Sequence, residues 1–254
     1  MEGFQIEQST SMRLRTKLRK AVQRFGWDIH VYSPRQFPDP WDDMTSFLKD
    51  EKIPVLFDIG ANVGQTALTM RGMFPRAIIH AFEPSPSTFA KLEAAVSTDR
   101  NVVLNNCGVG AQDGTLEFSE NRNSDMSSFL PLGPEGWGEV QGKIAVRVVT
   151  VDGYCGENAV SRIDVLKIDT QGFDFEVLKG ADRMLSNAQI RLVFMEVTFA
   201  RLYEGLPRFD AIFGFLADRA YRLVAVYEHH RHNRILGWTD VMFASPEIVR
   251  AAQS

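Results

Sequence analysis

This chain contains little cysteine, and it has neither a long apolar run nor a strong excess of either charge. Its 254 residues include two cysteines, Cys107 and Cys155, and neither belongs to a C-x-x-C pair. This excludes a disulfide scaffold, and it predicts reduced thiols in a cytoplasmic protein. No apolar run approaches the ~20 residues of a membrane span, and no uncharged apolar segment near Met1 indicates a signal peptide. We therefore expect a cytoplasmic protein without an integral membrane segment.

The charge balance is mildly acidic. A formal net charge of −4 and a pI of about 5.8 argue against a nucleic-acid-binding surface. With 44% hydrophobic residues, the chain can bury an ordinary core. Its length fits one α/β domain over 51–254, preceded by a helical N-terminal extension over 1–50. The sequence leaves the oligomeric state open.

The N-terminal extension contains a basic segment, Met12–Phe25, that has no acidic residue. Its apolar residues recur at helical spacing: Leu14, Leu18 and Val22. Such a helix could contact an anionic membrane surface or a phosphorylated carrier, but its short apolar face favours packing over the domain. A proline-rich connector over 37–41 leads into a second predicted helix, which contains Trp41, Phe47 and Leu48. This pair of helices acts either as a lid or as a structural cap.

The most informative stretch is a strand, a turn and a helix around residue 60. Val55–Ile59 is a short apolar run typical of a buried parallel strand. A turn of small residues runs from Gly60 to Gly64, and a helical pattern begins at Gln65. These elements in this order form a nucleotide-type binding loop, because glycine lets the backbone approach a ligand closely. The stretch therefore predicts a nucleotide-type site.

The identity of the ligand is indicated by the acids around this turn. A second predicted strand over 78–82 ends at Glu83, where a carboxylate can accept hydrogen bonds from both hydroxyls of a ribose. The turn lacks the third glycine of G-x-G-x-x-G, and Asp58 precedes the first glycine. An acid there would repel a pyrophosphate but suits a cationic ligand. S-adenosylmethionine, with its sulfonium and ammonium groups, therefore fits better than a dinucleotide.

Two further apolar runs end in acids. The predicted strand over 164–168 is followed by Asp169, and the predicted strand over 190–196 ends at Glu196. The carboxyl ends of parallel strands share one edge of a sheet, where ligands bind in open α/β folds. We therefore expect these two acids to lie close to Asp58 and Glu83.

The remaining patterns predict a seven-stranded, mostly parallel sheet with helices on both faces and one antiparallel strand. Helices are expected over 85–96, 173–185 and 209–220, and strands over 101–106, 221–227 and 238–244. Alternating runs at 114–118 and 144–149 flank a long polar loop. A loop of that length in a compact domain is usually functional or disordered.

Three segments give a specific family resemblance. They read D-I-G-A-N-V-G-Q from Asp58, A-F-E-P-S-P-S-T-F from Ala81, and L-K-I-D-T-Q-G-F-D-F-E-V-L-K-G-A from Leu166. Over 53–200 the chain resembles the FkbM-type methyltransferases, which use S-adenosylmethionine to methylate hydroxyl groups of sugars, lipids and polyketides. The resemblance implies a Rossmann-like class I methyltransferase fold. The chain departs from the commoner family form at Gln171 and Asp174, where Glu is frequent.

The resemblance also implies a set of site residues. The strand end at Cys107 and Gly108 passes beside the adenine, and a serine pair, Ser127 and Ser128, lies near the donor. The full predicted cofactor-binding set is Asp58, Gly60, Ala61, Asn62, Gly64, Gln65, Thr66, Glu83, Pro84, Ser85, Cys107, Gly108 and Asp169. Trp137, in the long polar loop, either walls the acceptor pocket or anchors the loop.

The segment Glu228–His232 contains three histidines, which raises the question of a metal. It lacks an H-x-x-x-H pair and a cysteine partner, so the spacing favours a polar loop beside the acceptor pocket. We expect no metal site.

An alcohol becomes a good nucleophile as its proton leaves, so a general base is expected beside the donor. The candidates are Asp169, which comes first, and Glu196, with His229, His230 or His232 as substitutes. The predicted function is O-methylation of a hydroxyl on a small molecule, glycan or lipid, without nucleic acid. The alternatives are a non-catalytic cofactor-binding partner domain and a nicotinamide-dependent oxidoreductase.

Overall fold

The computed structural model describes residues 39–253, so the predicted basic helix over 12–25 lies outside the described residues. The strands are β1 (Val55–Ile59), β2 (Ile78–Phe82), β3 (Val102–Asn105), β4 (Gly108–Val109), β5 (Gly114–Asn121), β6 (Val140–Val149), β7 (Ile163–Ile168), β8 (Ile190–Thr198), β9 (Arg222–His232) and β10 (Ile235–Ala244). The helices are α1 (Pro40–Phe47), α2 (Gln65–Met73), α3 (Pro86–Val96), α4 (Val151–Glu157), α5 (Asp174–Lys179), α6 (Asp182–Ser186), α7 (Phe209–Ala217) and α8 (Pro246–Gln253).

Seven strands form the main sheet, in the order β3-β2-β1-β7-β8-β10-β9. All neighbouring pairs from β3 to β8 are parallel, and β10 is antiparallel to both of its neighbours. This confirms the predicted Rossmann-like class I methyltransferase fold. The strand order reverses between β1 and β7, which is where open α/β sheets bind their ligands.

Each face of the sheet builds its own core, because successive strand residues point to opposite sides. Leu56 of β1 packs in a cluster with side chains of α1, α2, α3 and α8. Phe57, the next residue, packs in a second cluster with side chains of α4 to α7. Every residue of β7 is buried, as expected of a central strand covered on both faces.

The helix α1 confirms the predicted second helix of the N-terminal region. Asp39 caps it, because its carboxylate accepts a hydrogen bond from the amide of Trp41. Met44 is fully buried on one face of the sheet, and the hydroxyl of Tyr227 donates to Asp43 at 2.8 Å. Among the described residues, no helix has the length and apolar character needed to cross a membrane.

A separate three-stranded sheet, ordered β4-β6-β5, interrupts the alternation of strands and helices. The alternating runs predicted at 114–118 and 144–149 form β5 and β6, which are longer than expected and pair antiparallel. Their connection contains one turn of 3₁₀ helix, Ser124–Met126. Residues 122–139 are called the roof loop below.

Two sequence predictions about elements were wrong. The single helix expected over 173–185 is divided into α5 and α6. The break lies at Gly180, where a Cβ would come within 2.0 Å of the carbonyl oxygen of Gly110, so close backbone packing ends α5. The histidine segment is not a loop but part of β9, which turns into β10 through Asn233 and Arg234. Both have positive φ, as a tight hairpin turn requires.

Candidate functional site

The carboxyl ends of β1 and β7 meet at Gly60. Its φ is +80°, and a Cβ here would lie 1.8 Å from the carbonyl oxygen of Asp169. The amide of Asp169 also donates to the carbonyl of Ile59 at 2.9 Å. Glycine is required because both the positive φ and the close contact exclude a side chain. The glycine turn therefore brings Asp169 beside the start of the loop.

Three amides of this turn are already bonded within the protein. The amides of Gly60 and Ala61 donate to the carbonyl of Phe82 at 3.1 and 2.9 Å. The amide of Asn62 donates to the Glu83 carboxylate at 3.0 Å. A phosphate-binding loop directs such groups at its ligand. This turn is therefore arranged around a carboxylate and a carbonyl, and it is not an anion cradle.

Glu83 follows β2 and is 6% exposed. Its two carboxylate oxygens accept hydrogen bonds from the amides of Asn62 and Ser85 at 3.0 and 2.9 Å. Burial raises the pKa of Glu83 to about 7, although these two hydrogen bonds oppose that shift. A carboxylate offers about four acceptor positions, so this side chain keeps some for the hydroxyl groups of a ligand.

Lys167 is the penultimate residue of β7 and forms a buried ion pair. Its Nζ is 2.9 Å from Oδ1 of Asp58 and 3.8 Å from Oδ2 of Asp169. Burial by itself would lower the pKa of Lys167, but Asp58 and Asp169 raise that pKa above its ordinary range. The charge of Asp58 is therefore compensated inside the protein, which removes the repulsion of a pyrophosphate that the sequence suggested.

A cleft with about 660 Å³ of unfilled space lies over the carboxyl edge of the sheet. Its walls come from strand ends, from the glycine turn and from the roof loop. The lining residues are Ile59, Gly60, Asn62, Phe82, Glu83, Pro84, Cys107, Gly108, Val109, Phe118, Ser124, Asp125, Ser127, Phe129, Asp169, Thr170 and Gln171.

Part of the predicted cofactor-binding set lines this cleft: Gly60, Asn62, Glu83, Pro84, Cys107, Gly108 and Asp169. The others do not line it: Asp58, Ala61, Gly64, Gln65, Thr66 and Ser85. Their positions have structural reasons. Gly64 precedes α2 with a φ of +98°, and the Ser85 hydroxyl caps α3 by accepting a hydrogen bond from the amide of Thr88. Their cofactor roles stay predictions.

The roof loop closes one side of the cleft. The side-chain amide of Asn62 donates to Asp125, and the ring of Phe129 packs on Gly108. A Cβ at Gly108 would come within 2.4 Å of that ring, so glycine lets the roof loop approach the strand end. Of the predicted serine pair, Ser127 lines the cleft, whereas Ser128 donates to the carbonyl of Gln171 at 2.8 Å.

Trp137 anchors the far end of the roof loop. Its ring stacks on His232, with centroids 5.8 Å apart and an interplanar angle of 18°, and it lies 5.9 Å from the ring of Trp238. His230 stacks on the other tryptophan at 5.3 Å. The four rings join the roof loop to the hairpin of β9 and β10, which is the anchoring alternative of the sequence analysis.

Carboxyl groups cluster beside Asp169. Glu196 of β8 is the register partner of Asp240 of β10. Burial first, and then Asp169, Asp174 and Asp240, raise the pKa of Glu196 well above its ordinary range. Burial also raises the pKa of Asp174 and that of Asp240 to about 6. Burial and the mutual repulsion of these acids therefore favour their neutral forms.

The structure separates the three predicted catalytic residues. Asp169 lines the cleft, the half-buried Glu196 lies outside that lining, and His229 is an exposed residue of β9 opposite Thr239. His229 also does not line the cleft. Within residues 39–253, no group of three or more His, Cys, Asp or Glu side chains is arranged to hold a metal ion.

Gln171 and Asp240 were not assigned a site role from the sequence, whereas Lys167 was considered only as an ion-pair partner of Asp169 and Tyr203 only as a pocket wall or a core residue. One signal was available, because a lysine inside the apolar run of β7 needs a buried partner. Tyr203 gives no such signal. The loop that carries Tyr203 is remote in sequence from Gln171. The hydroxyl of Tyr203 nevertheless donates a hydrogen bond to the side-chain oxygen of Gln171 at 2.9 Å.

The chain was compared with known proteins. The profile of the methyltransferase FkbM domain matches residues 58–223. The 2-O-methyltransferase NoeI of Sinorhizobium fredii is 26% identical over 191 residues, which cover 71% of this chain and 77% of that protein. The hexuronic acid methyltransferase AglP of Haloferax volcanii is 27% identical over 146 residues, which cover 56% of each chain.

A third relative is the 31-O-demethyl-FK506 methyltransferase FkbM of Streptomyces tacrolimicus. It is 27% identical over 154 residues, which cover 50% of this chain and 59% of that protein. The aligned parts thus cover 77% of NoeI, 56% of AglP and 59% of FkbM. The matched profile spans more than half of this chain and contains the whole lining of the cleft. The chain therefore belongs to the FkbM family of methyltransferases.

Proposed function

We propose that this chain is an S-adenosylmethionine-dependent O-methyltransferase that acts on a hydroxyl group of a sugar, a glycolipid or a polyketide-type product. The observation that carries the proposal is a single cleft over the strand ends that is lined by both the buried Glu83 and the partly exposed Asp169. Family membership supplies the reaction class, methyl transfer.

The cleft suits the separate parts of this donor. Glu83 is held by two backbone amides and has acceptor positions left for ribose hydroxyls. Cys107, Gly108 and the ring of Phe129 give the cleft an apolar wall suited to the face of an adenine. Burial raises the pKa of Cys107 to about 11, so its thiol stays uncharged in that wall. When bound, the donor supplies a methyl group activated by the positive charge of its sulfonium.

Asp169 is the proposed general base. Its side chain lines the cleft and is 40% exposed, so it can reach the hydroxyl of an acceptor and later release the proton to water. Glu196 is less suited, because its carboxyl group does not line the cleft and because burial and neighbouring carboxyl groups raise its pKa. His229 does not line the cleft. The roof loop supports the reaction by covering one side of the cleft and limiting access of water.

The acceptor class rests on the relatives. One name gives methyl transfer to a 2-O position, and the other two give a hexuronic acid and 31-O-demethyl-FK506 as what those proteins act on. A hydroxyl of a sugar or of a polyketide-type product is the class that covers these cases. A hexose or hexuronic acid is therefore the first acceptor to test, followed by glycolipids and macrolides.

Calorimetry with S-adenosylhomocysteine and with NAD tests the donor. We expect binding of the former and none of the latter, and the opposite result would overturn the proposal. Transfer of a labelled methyl group to a panel of hydroxylated acceptors tests the reaction. If the donor binds but no acceptor in the panel is methylated, the alternative of a cofactor-binding partner domain is favoured.

The role of Asp169 has its own test. Asp169→Asn should lower turnover by about 10²–10⁴-fold, the usual contribution of a general base, while affinity for S-adenosylhomocysteine changes little. The matched control is Asp210→Asn, which removes an exposed carboxylate paired with Arg208 and should leave turnover unchanged. Wild-type turnover in the Asp169 variant would refute the assignment.

A further inference from the structure

The backbone of Gln171 is held in an unfavourable conformation. Its φ is +55°, in the left-handed region that residues other than glycine rarely adopt. Three hydrogen bonds hold the turn: Ser128 donates to the carbonyl of Gln171, and the amides of Thr170 and Gly172 donate to the carboxylate of Asp174. Such strain persists where the surrounding structure determines the conformation, and it recurs at active sites.

The side chain of Gln171 is bonded at both ends. Its Nε2 donates to Oδ1 of Asp169 at 2.8 Å, and its Oε1 accepts from the hydroxyl of Tyr203 at 2.9 Å. Tyr203 is 3% exposed, and its hydroxyl also lies 3.6 Å from the sulfur of Met126 in the roof loop. An amide can donate to a carboxylate and accept from a phenol at the same time. The chain of contacts therefore runs from the roof loop through Tyr203 and Gln171 to Asp169.

We propose that Gln171 is a positioning residue, which fixes the carboxylate of Asp169 for proton removal and links it to Tyr203. This inference rests on the proposed function, in which Asp169 is the general base. With Oδ1 bonded to the amide and Oδ2 directed at Lys167 from 3.8 Å, the plane of the carboxylate is determined on both sides.

The neutral charge of the amide is part of the role. Asp169 already lies among the carboxyl groups of Asp174, Glu196 and Asp240, of which the first is buried and the other two are half-buried. A carboxylate at position 171 would accept from Tyr203 but could not donate to Asp169 unless it bound a proton. It would also add a like charge next to the base, which disfavours the ionised form of Asp169. The amide aligns the base without making its ionisation harder.

Two substitutions of Gln171 separate alignment from charge. Gln171→Ala should lower kcat by roughly tenfold or more with KM and donor affinity nearly unchanged, because it removes an interaction that orients the base. Gln171→Glu should move the acid limb of the pH–rate profile upward by about one unit or more, with much of the activity recovered at high pH. A purely structural role would lower stability and leave the profile in place.

Two tyrosine variants test the link to Tyr203, one as the test and the other as its matched control. Tyr203→Phe removes the hydroxyl that bonds to Gln171 and should lower kcat several-fold. Tyr227→Phe removes a hydroxyl from a similarly buried ring whose partner is Asp43, and it should change neither kcat nor the profile. Equal effects of the two would overturn the link to Tyr203.

A readout that needs no acceptor completes the test. The carboxyl carbon of Asp169 can be followed with pH by ¹³C NMR, and its signal is identified by its loss in Asp169→Asn. The midpoint should rise in Gln171→Glu and stay unchanged in Tyr227→Phe. An identical titration in the wild type and in both Gln171 variants would overturn the inference. If the titration midpoint of Asp169 moves as expected but the protein methylates no acceptor, the proposed function and the base role are overturned. The contact between Gln171 and Asp169 would still stand.

Discussion

Replacing Lys167 with methionine should strongly destabilise the protein. Lys167 and Asp58 have side chains 7% and 0% exposed, and their charged atoms are 2.9 Å apart. At an effective dielectric constant of ~20, two unit charges at that distance attract by about 6 kcal/mol before desolvation is counted. Methionine keeps most of the volume but leaves Asp58 as a buried charge without compensation. Loss of one partner of such a pair costs about 3–5 kcal/mol.

Urea unfolding followed by circular dichroism at neutral pH measures this loss. For a domain of this size, the same change corresponds to a fall in Tm of roughly 6–20 °C. The double variant Asp58→Asn/Lys167→Met should be more stable than the single variant, because no charge is then buried.

The matched control is Lys179→Met, which breaks an ion pair with Glu176 whose side chains are 42% and 36% exposed. Exposed pairs contribute about 0–1 kcal/mol, so this variant should unfold nearly as the wild type does. If Lys167→Met loses no more than the control, or if the double variant is no better than the single one, the reasoning about the buried pair is refuted.

Further predictions concern Glu83 and the glycines. Because burial raises the pKa of Glu83 to about 7, affinity for S-adenosylhomocysteine should rise as the pH rises through that value. Calorimetry should show that Glu83→Gln abolishes this pH dependence. An unchanged dependence in the variant would exclude a role for Glu83. The free energy of unfolding of the ligand-free protein should fall as the pH rises from 4.5 to about 7, because the folded state binds more protons than the unfolded state in this range. Urea midpoints measured across the range check the sign. Gly60→Ala should lose more than about 3 kcal/mol, because its Cβ would overlap the carbonyl of Asp169. Gly72→Ala, in open space within α2, should gain about 0.5–1 kcal/mol, and equal unfolding midpoints for the two variants would contradict this account.

Local patterns were sufficient for much of the fold. The run Val55–Ile59 matches β1 residue for residue, because it lies between Pro54 and Gly60 and each end is a break that the sequence itself marks. The helix predicted from Gln65 begins there, and the serine and proline at 85 and 86 begin α3. These features depend on residues close together along the chain.

Local patterns failed where a distant segment decides the structure. The helix predicted over 173–185 breaks at Gly180, because the carbonyl of Gly110 packs against it. The histidines of 229–232 looked like a loop because alternation is weak there, but pairing with β10 extends them as a strand.

The sequence by itself determined the order of strands and helices, the glycine turn and the placement of acids at strand ends, because periodicity and turn chemistry act over a few residues. Only the tertiary structure decided which charges face the cleft. Asp58 is turned to Lys167, 109 residues away along the chain, whereas Glu83 and Asp169 line the cleft. The physical reason is that burial and partners set the state of a carboxylate, and both come from segments that meet when the chain folds.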